Sequence, residues 1–146
     1  AEYEPLLGGG DGQRGQVLFY NKATCSTCHS IWGIGGKIGP DLTKIGSIRA
    51  GRDILESIVL PSATIAQGYE VLNVRFKDGE SATGIRVGKS DDPLVLRDAA
   101  GNEAHYRQEI IQGIDRSKVS LMPEGLLQQL TLEEIRDLLA FLQGLK

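Results

Sequence analysis

The most constraining feature of the sequence is the five-residue motif Cys25-Ser26-Thr27-Cys28-His29. The spacing C-x-x-C-H is the pattern by which haem is attached covalently to a protein. Two thiols on one helical turn can each form a thioether with one of the two vinyl groups of the porphyrin, whose separation is fixed. The adjoining His29 can then direct its imidazole at the iron. The motif therefore predicts one haem c, with Cys25 and Cys28 as covalent attachment points and His29 as an axial ligand.

Other uses of the two cysteines are less well supported by the sequence. A disulfide between them would close a very small loop and stabilise the fold little. A thioredoxin-like C-x-x-C motif belongs in a βαβ setting and does not account for His29. A structural zinc site needs four ligands, and after the motif the sequence offers only His105. Haem attachment is the interpretation that uses every residue of the motif.

The sequence also offers a second axial ligand. Its one methionine, Met122, precedes Pro123 in a predicted loop before the last helix, whereas a methionine that fills a core usually lies on a helix face. The rival, His105, lies in a predicted strand whose context indicates a solvated face. With His29 and Met122 both bound, the iron has no position left for a substrate, which predicts a one-electron carrier and not an enzyme. If Met122 is labile, the alternative is a haem gas sensor or a weak peroxidase.

Composition limits the class of protein. The 146 residues fit one domain, and aromatic residues make up only 5%, a low value that a large apolar cofactor in the centre would explain. The formal net charge of −3 argues against a nucleic-acid partner. No segment approaches the roughly 18 apolar residues that a transmembrane helix needs. No signal peptide is visible, and a chain that begins at Ala1 is typical of a mature or trimmed form.

Local patterns divide the chain into an N-terminal arm, residues 1–10, and a single domain, residues 11–146. Apolar residues at helical spacing predict helices, and alternating residues separated by turn signals predict a small antiparallel sheet inserted at about residues 68–115. The expected fold is therefore mainly α, with three or more helices around one haem and the β insert before the methionine loop. The predicted helices are 11–21, 52–60 and one that begins at a Thr131–Glu134 capping box, and the predicted strands are 69–77, 80–88, 94–97 and 103–107.

In these features the chain resembles the class I c-type cytochromes. More narrowly, it is similar to a haem-binding domain of planctomycete and verrucomicrobial bacteria that carries a β insert and often ends much larger dehydrogenase-like proteins. The similarity covers about residues 10–146. The matching segments, in order, are Gly15 with Phe19 in the first helix, the Cys25–His29 motif, Gly39-Pro40-Asp41-Leu42, Ser120-Leu121-Met122-Pro123, and Asp137–Leu142 in the last helix.

The resemblance implies a cytochrome c fold in which the last helix crosses the first near Gly15. It also implies that the Pro40 carbonyl accepts a hydrogen bond from the His29 imidazole. Trp32 is a candidate for packing on the haem or donating to a propionate, and Arg49 and Arg52 are candidates for pairing with the propionates. The side chains expected to line the haem crevice are Ile34, Ile38, Leu42, Ile45, Leu55 and Leu121.

The resemblance further implies redox partners and a location. The partners expected are a dehydrogenase that donates electrons and an acceptor such as a terminal oxidase or another cytochrome. Thioether attachment takes place outside the cytoplasm in bacteria, so a periplasmic location is expected. The chain is expected to be a monomer or a domain of a larger protein, in which the β insert is a candidate docking module.

Overall fold

The computed structural model describes residues 3–146, which form two compact units. One unit comprises the chain up to Thr64 together with Pro123–Lys146, and the other is Ile65–Met122. The first two residues of the predicted arm lie outside the described residues. The helices are α1 (Gly12–Tyr20), α2 (Ile45–Ile48), α3 (Gly51–Val59) and α4 (Leu132–Gln143), and the strands are β1 (Ser30–Ile31), β2 (Ile34–Gly35), β3 (Val71–Phe76), β4 (Ser81–Arg86), β5 (Leu94–Arg97), β6 (Glu103–Tyr106) and β7 (Ile111–Arg116).

The first unit is built on the crossing of α1 and α4. Gly15 of α1 lies against α4 so closely that a Cβ there would be 2.0 Å from the carbonyl oxygen of Asp137. Beside this contact, the buried Asp137 carboxylate accepts hydrogen bonds from the Asp11 amide (2.8 Å) and from Arg14 Nε (3.0 Å). The Phe19 and Phe141 rings pack edge to face, with centroids 5.7 Å apart. The predicted crossing near Gly15 is confirmed.

The ends of the three longer helices follow from local chemistry. The Asp11 carboxylate accepts from the amides of Gln13 and Arg14 at the start of α1, and Thr131 begins α4 with a complete capping box. Helix α3 ends before Pro61, as predicted. These three predicted helices are confirmed.

The short helical segments of this unit have no counterpart among the predicted elements. A 3₁₀ helix, Glu4–Leu7, lies within the predicted arm and buries Leu6. Helix α2 is a single turn, too short for a period to be visible in the sequence. It approaches α4 at Gly46, where a Cβ would lie 2.2 Å from the Gln143 carbonyl oxygen.

The second unit is a five-stranded antiparallel sheet in the order β6-β5-β4-β3-β7. The four predicted strands are present, and Asp78-Gly79 forms the turn between β3 and β4. The fifth strand, β7, was missed because Gly113 interrupts its apolar alternation, and this glycine leaves room for the Arg75 guanidinium. The core of the sheet consists of Val74, Phe76, Leu94, Leu96 and Ile111.

The prediction of a mainly α fold is wrong. Residues 3–146 are 33% helical and 21% strand, with four α-helices and a five-stranded sheet. The physical reason is that the helices are short, the segment between α1 and α2 is mostly loop and hairpin, and the second unit is almost entirely sheet. Among residues 3–146, no helix combines the length and the apolar character needed to cross a membrane.

Candidate haem-binding site

The Cys25–His29 motif forms one tight turn after α1. Residues Cys25–Thr27 adopt a 3₁₀ helix, and the amides of Cys28 and His29 both donate to the Cys25 carbonyl, at 3.2 and 2.9 Å. Thr24 leads into this turn with a left-handed backbone, φ 58°. The two thiols and the imidazole are therefore brought together by a single turn of backbone, as the chemistry of the motif requires.

The two cysteines are free, partly buried thiols. Burial raises the pKa of the Cys25 thiol to about 11 and also raises the pKa of the Cys28 thiol. Both sulfurs therefore carry their protons at neutral pH. Cys25 and Cys28 therefore offer two S–H groups three residues apart. Each S–H group can add across one vinyl group of the haem to form a thioether.

The His29 imidazole is oriented by the segment that follows the motif. Its Nδ1 lies 2.7 Å from the carbonyl oxygen of Pro40, the hydrogen bond that the resemblance implied. Because a carbonyl can only accept, Nδ1 carries the proton and Nε2 is left with a lone pair for a metal. Burial lowers the pKa of His29, although the bond to Pro40 opposes this shift, so the ring is neutral at pH 7. His29 is thus held in the tautomer that an iron ligand needs.

Gly39 lies directly against the imidazole ring. A Cβ on this residue would be 2.6 Å from Cε1 and 2.8 Å from Nδ1 of His29, closer than real Cβ contacts allow. The sequence analysis identified Gly39-Pro40 as a segment but assigned the interaction to Pro40 alone. The structure adds that the absence of a side chain at Gly39 is what lets the Pro40 carbonyl approach the ring.

Replacing Gly39 with alanine should therefore displace the imidazole or the loop and break the hydrogen bond to Pro40. Loss of such an orienting contact commonly lowers metal-site occupancy or activity about 10- to 100-fold, so we expect about a tenfold lower yield of haem-loaded protein. The measurement is haem absorbance per polypeptide after expression with the haem-attachment machinery. Gly8→Ala is the matched control, since a Cβ at Gly8 meets nothing within 4 Å. Equal haem content in the two variants would contradict the assignment.

Three further candidates for contact with the haem lie in the first unit and differ in how exposed they are. Arg52 is exposed and its Nε lies 3.1 Å from Glu4 Oε1, so its charge has a protein partner. Trp32 is 63% exposed and follows β1 with φ 51°, in the left-handed region. Leu42 is partly buried, and its amide donates to the Ser30 carbonyl at 2.9 Å. The haem-contacting roles of these residues stay predictions.

Three further candidates belong to the second unit. Leu121 and Met122 are partly buried in the segment after β7, and the Met122 amide donates to Ser120 Oγ at 3.1 Å. His105, the rival to Met122, is exposed on strand β6, in agreement with the solvated face expected for it.

Sequence reasoning missed a group of polar contacts beside the site. Asp41 Oδ2 accepts from the Ser30 hydroxyl (2.9 Å), and Asp41 Oδ1 accepts from the Thr43 amide (2.8 Å). The Thr43 hydroxyl oxygen in turn accepts from the Trp32 amide (2.8 Å). The contact within Asp41-Leu42-Thr43 is a local Asx turn that the sequence could have indicated. The contacts to Ser30 and Trp32 cross eleven residues and carry no local signal.

The donor set fits a covalently bound haem. It provides two neutral thiols on one turn, an adjacent neutral imidazole with a free Nε2, and exposed apolar side chains nearby in sequence at Trp32 and Ile34.

No curated protein matches the chain. The family model for cytochrome c matches residues 12–82, slightly under half of the chain, including the whole motif and Gly39-Pro40. This match supports a c-type cytochrome, a haem-binding electron carrier.

Proposed function

We propose that this chain is a mono-haem c-type cytochrome that accepts and donates one electron at a time. Cys25 and Cys28 attach the haem through thioethers, and His29 and Met122 are the axial ligands. The observation that carries the proposal is the hydrogen bond from His29 Nδ1 to the Pro40 carbonyl, which leaves Nε2 as the only ring nitrogen available to iron. When bound, the haem supplies an iron that alternates between Fe(III) and Fe(II).

The environment of His29 suits electron transfer because the orientation of its imidazole is already fixed by the protein. The Pro40 carbonyl holds the imidazole in one tautomer and one orientation, and the Gly39 backbone packs directly against the ring. A ligand that cannot rotate changes little when the charge on the metal changes. The hydrogen bond also raises the basicity of His29, which tunes the reduction potential.

Met122 supplies the second ligand in this proposal. It is the one methionine of the chain, lies outside the helices and strands, and has its amide held by Ser120 Oγ. A thioether is a soft ligand that favours Fe(II) and raises the potential relative to a second imidazole. With both axial positions filled by the protein, no substrate binds the iron, so the chain is a carrier and not an enzyme.

The proposed partners are proteins that exchange electrons in brief encounters. A dehydrogenase donates and an oxidase or another cytochrome accepts, through contacts of the small, weak kind that redox pairs form. The proposed location is the periplasm, where bacterial thioether attachment takes place.

The test is the mass and the absorption spectrum of the matured protein. The expected mass is that of the polypeptide plus one haem, retained under denaturing conditions. The Fe(III) form should show a weak sulfur-to-iron band at the red end of the spectrum, and the Fe(II) form should not change on addition of carbon monoxide. A Cys25→Ala, Cys28→Ala double variant is the control, and its haem should be extractable. A colourless wild-type protein would end the proposal, whereas binding of carbon monoxide would favour the gas sensor or peroxidase.

A further inference from the structure

The segments on either side of the His29–Pro40 hydrogen bond are joined by several contacts. Backbone hydrogen bonds run from the Gly39 amide to the Cys28 carbonyl (2.8 Å) and from the Leu42 amide to the Ser30 carbonyl (2.9 Å). Ser30 directly follows His29, and Asp41 directly follows Pro40. The Ser30–Asp41 side-chain hydrogen bond of 2.9 Å therefore joins the immediate neighbours of the two residues whose contact orients the imidazole.

From this arrangement we propose that Asp41 is a positioning residue for His29. Its carboxylate joins the loop after Pro40 to the β1–β2 hairpin after His29, and so holds the Pro40 carbonyl against the imidazole. This inference rests on the proposed function, because the imidazole is the expected iron ligand. It assigns a role to a side chain that does not touch the ring.

Asp41 is also linked, through Thr43, to the tip of the β1–β2 hairpin. The other carboxylate oxygen accepts from the Thr43 amide, and Thr43 Oγ1 accepts from the Trp32 amide. Trp32 has φ 51°, a backbone conformation that a bulky residue seldom adopts, so a contact that fixes its amide helps to hold the turn. Through Ser30 and Thr43, one carboxylate thus supports both the start and the tip of the hairpin.

Asp41 carries a negative charge at neutral pH, because its exposed side chain is hydrated and its pKa is lowered. Hydrogen bonds from the Thr43 hydroxyl, the Thr43 amide and the Ser30 hydroxyl lower its pKa below the ordinary value. An ionised carboxylate accepts stronger hydrogen bonds than a neutral group. The carboxylate can therefore hold Ser30 and Thr43 in place at the same time.

The role predicts a direction for the reduction potential. If Asp41→Ala loosens the Pro40 carbonyl, His29 becomes a less basic ligand and stabilises Fe(III) less. We expect the Fe(III)/Fe(II) equilibrium to shift about tenfold toward Fe(II), which is about 59 mV for one electron. The His29 Nδ1 proton of the Fe(II) protein should also exchange with solvent faster, as measured by NMR.

Asp41→Asn separates positioning from charge. The amide keeps an acceptor for Thr43 and a polar partner for Ser30 but carries no charge, so it should restore most of the wild-type potential and the slow proton exchange. Asp98→Ala is the matched control, since Asp98 accepts from the amides of Ala100 and Asn102 in a turn of the second unit. It should change neither measurement. If Asp41→Ala does not mature, Ser30→Ala removes one of the contacts alone and should give a smaller shift in the same direction.

The outcomes distinguish this inference from the proposed function. Equal shifts in Asp41→Ala and Asp41→Asn would show that only the charge acts and would overturn the positioning role. A haem-loaded wild-type protein with an unshifted Asp41→Ala variant would overturn it as well, because the backbone contacts alone would then suffice. Both results leave the proposed function standing. A wild-type protein without haem would remove the proposed function and this inference together.

Discussion

Replacing Met122 with alanine should open the sixth coordination position of the iron. The sulfur-to-iron band of the Fe(III) protein should disappear, and the Fe(II) protein should bind carbon monoxide. The potential should fall by a few tenths of a volt, a fraction of the roughly 0.8 V over which axial ligands set haem potentials. The physical reason is that loss of the soft thioether removes the ligand that favours Fe(II). Visible spectra and a redox titration of the purified variant measure all three changes.

His105→Ala is the control for this experiment. His105 is exposed on β6, and its replacement should leave the spectrum and the potential as they are. If His105→Ala instead opens the iron while Met122→Ala retains the wild-type spectrum, the ligand assignment is wrong in favour of the histidine. If neither variant changes the spectrum, the sixth ligand is neither of these residues.

The parts of the fold that the sequence predicted depend on neighbouring residues. Asp11 and Thr131 begin helices through contacts two or three residues away, and Pro61 ends one by its own geometry. The Asp78-Gly79 turn is equally local. Each of these signals acts over less than one helical turn, and each was confirmed.

The parts that were missed depend on contacts between distant segments. Strand β7 is formed by pairing with β3 about forty residues earlier, and Gly113 is explained only by Arg75 on that strand. The one-turn helix α2 depends on the approach of Gly46 to α4. Without β7, the sequence analysis underestimates the proportion of strand, which contributes to the wrong prediction of a mainly α fold.

The candidate site shows the same division. The Cys25–His29 motif is contiguous, so its turn followed from the sequence, and the Pro40 contact was available through the resemblance. Gly39 and Asp41 act on residues ten or eleven positions away. Neither residue type carries a chemical signature of haem binding, so only the folded structure shows what they contact.

Gly15→Ala should strongly destabilise the first unit. The added Cβ would lie 2.0 Å from the Asp137 carbonyl oxygen and 2.7 Å from the Phe141 Cβ, so α1 and α4 must separate. Separation would also strain the buried contacts of Asp137 with Asp11 and Arg14. Overpacking of this kind commonly lowers the free energy of unfolding by about 1–3 kcal/mol and occasionally more. The Asp137 carbonyl belongs to the backbone of α4, so it cannot move aside as a flexible side chain can. We expect a loss of about 3 kcal/mol, near the upper end of that range.

Gly12→Ala provides the matched comparison within the same helix. A Cβ at Gly12 would lie 3.7 Å from Phe141 Cα, an ordinary van der Waals distance. Since alanine reduces the freedom of the unfolded chain, this variant should be unchanged or stabilised by up to about 1 kcal/mol. Urea unfolding of the haem-loaded proteins, followed by far-UV circular dichroism, measures both. Because the two changes add the same methyl group to one helix, a similar stability for both variants would mean that the close crossing at Gly15 does not support the fold around the haem motif.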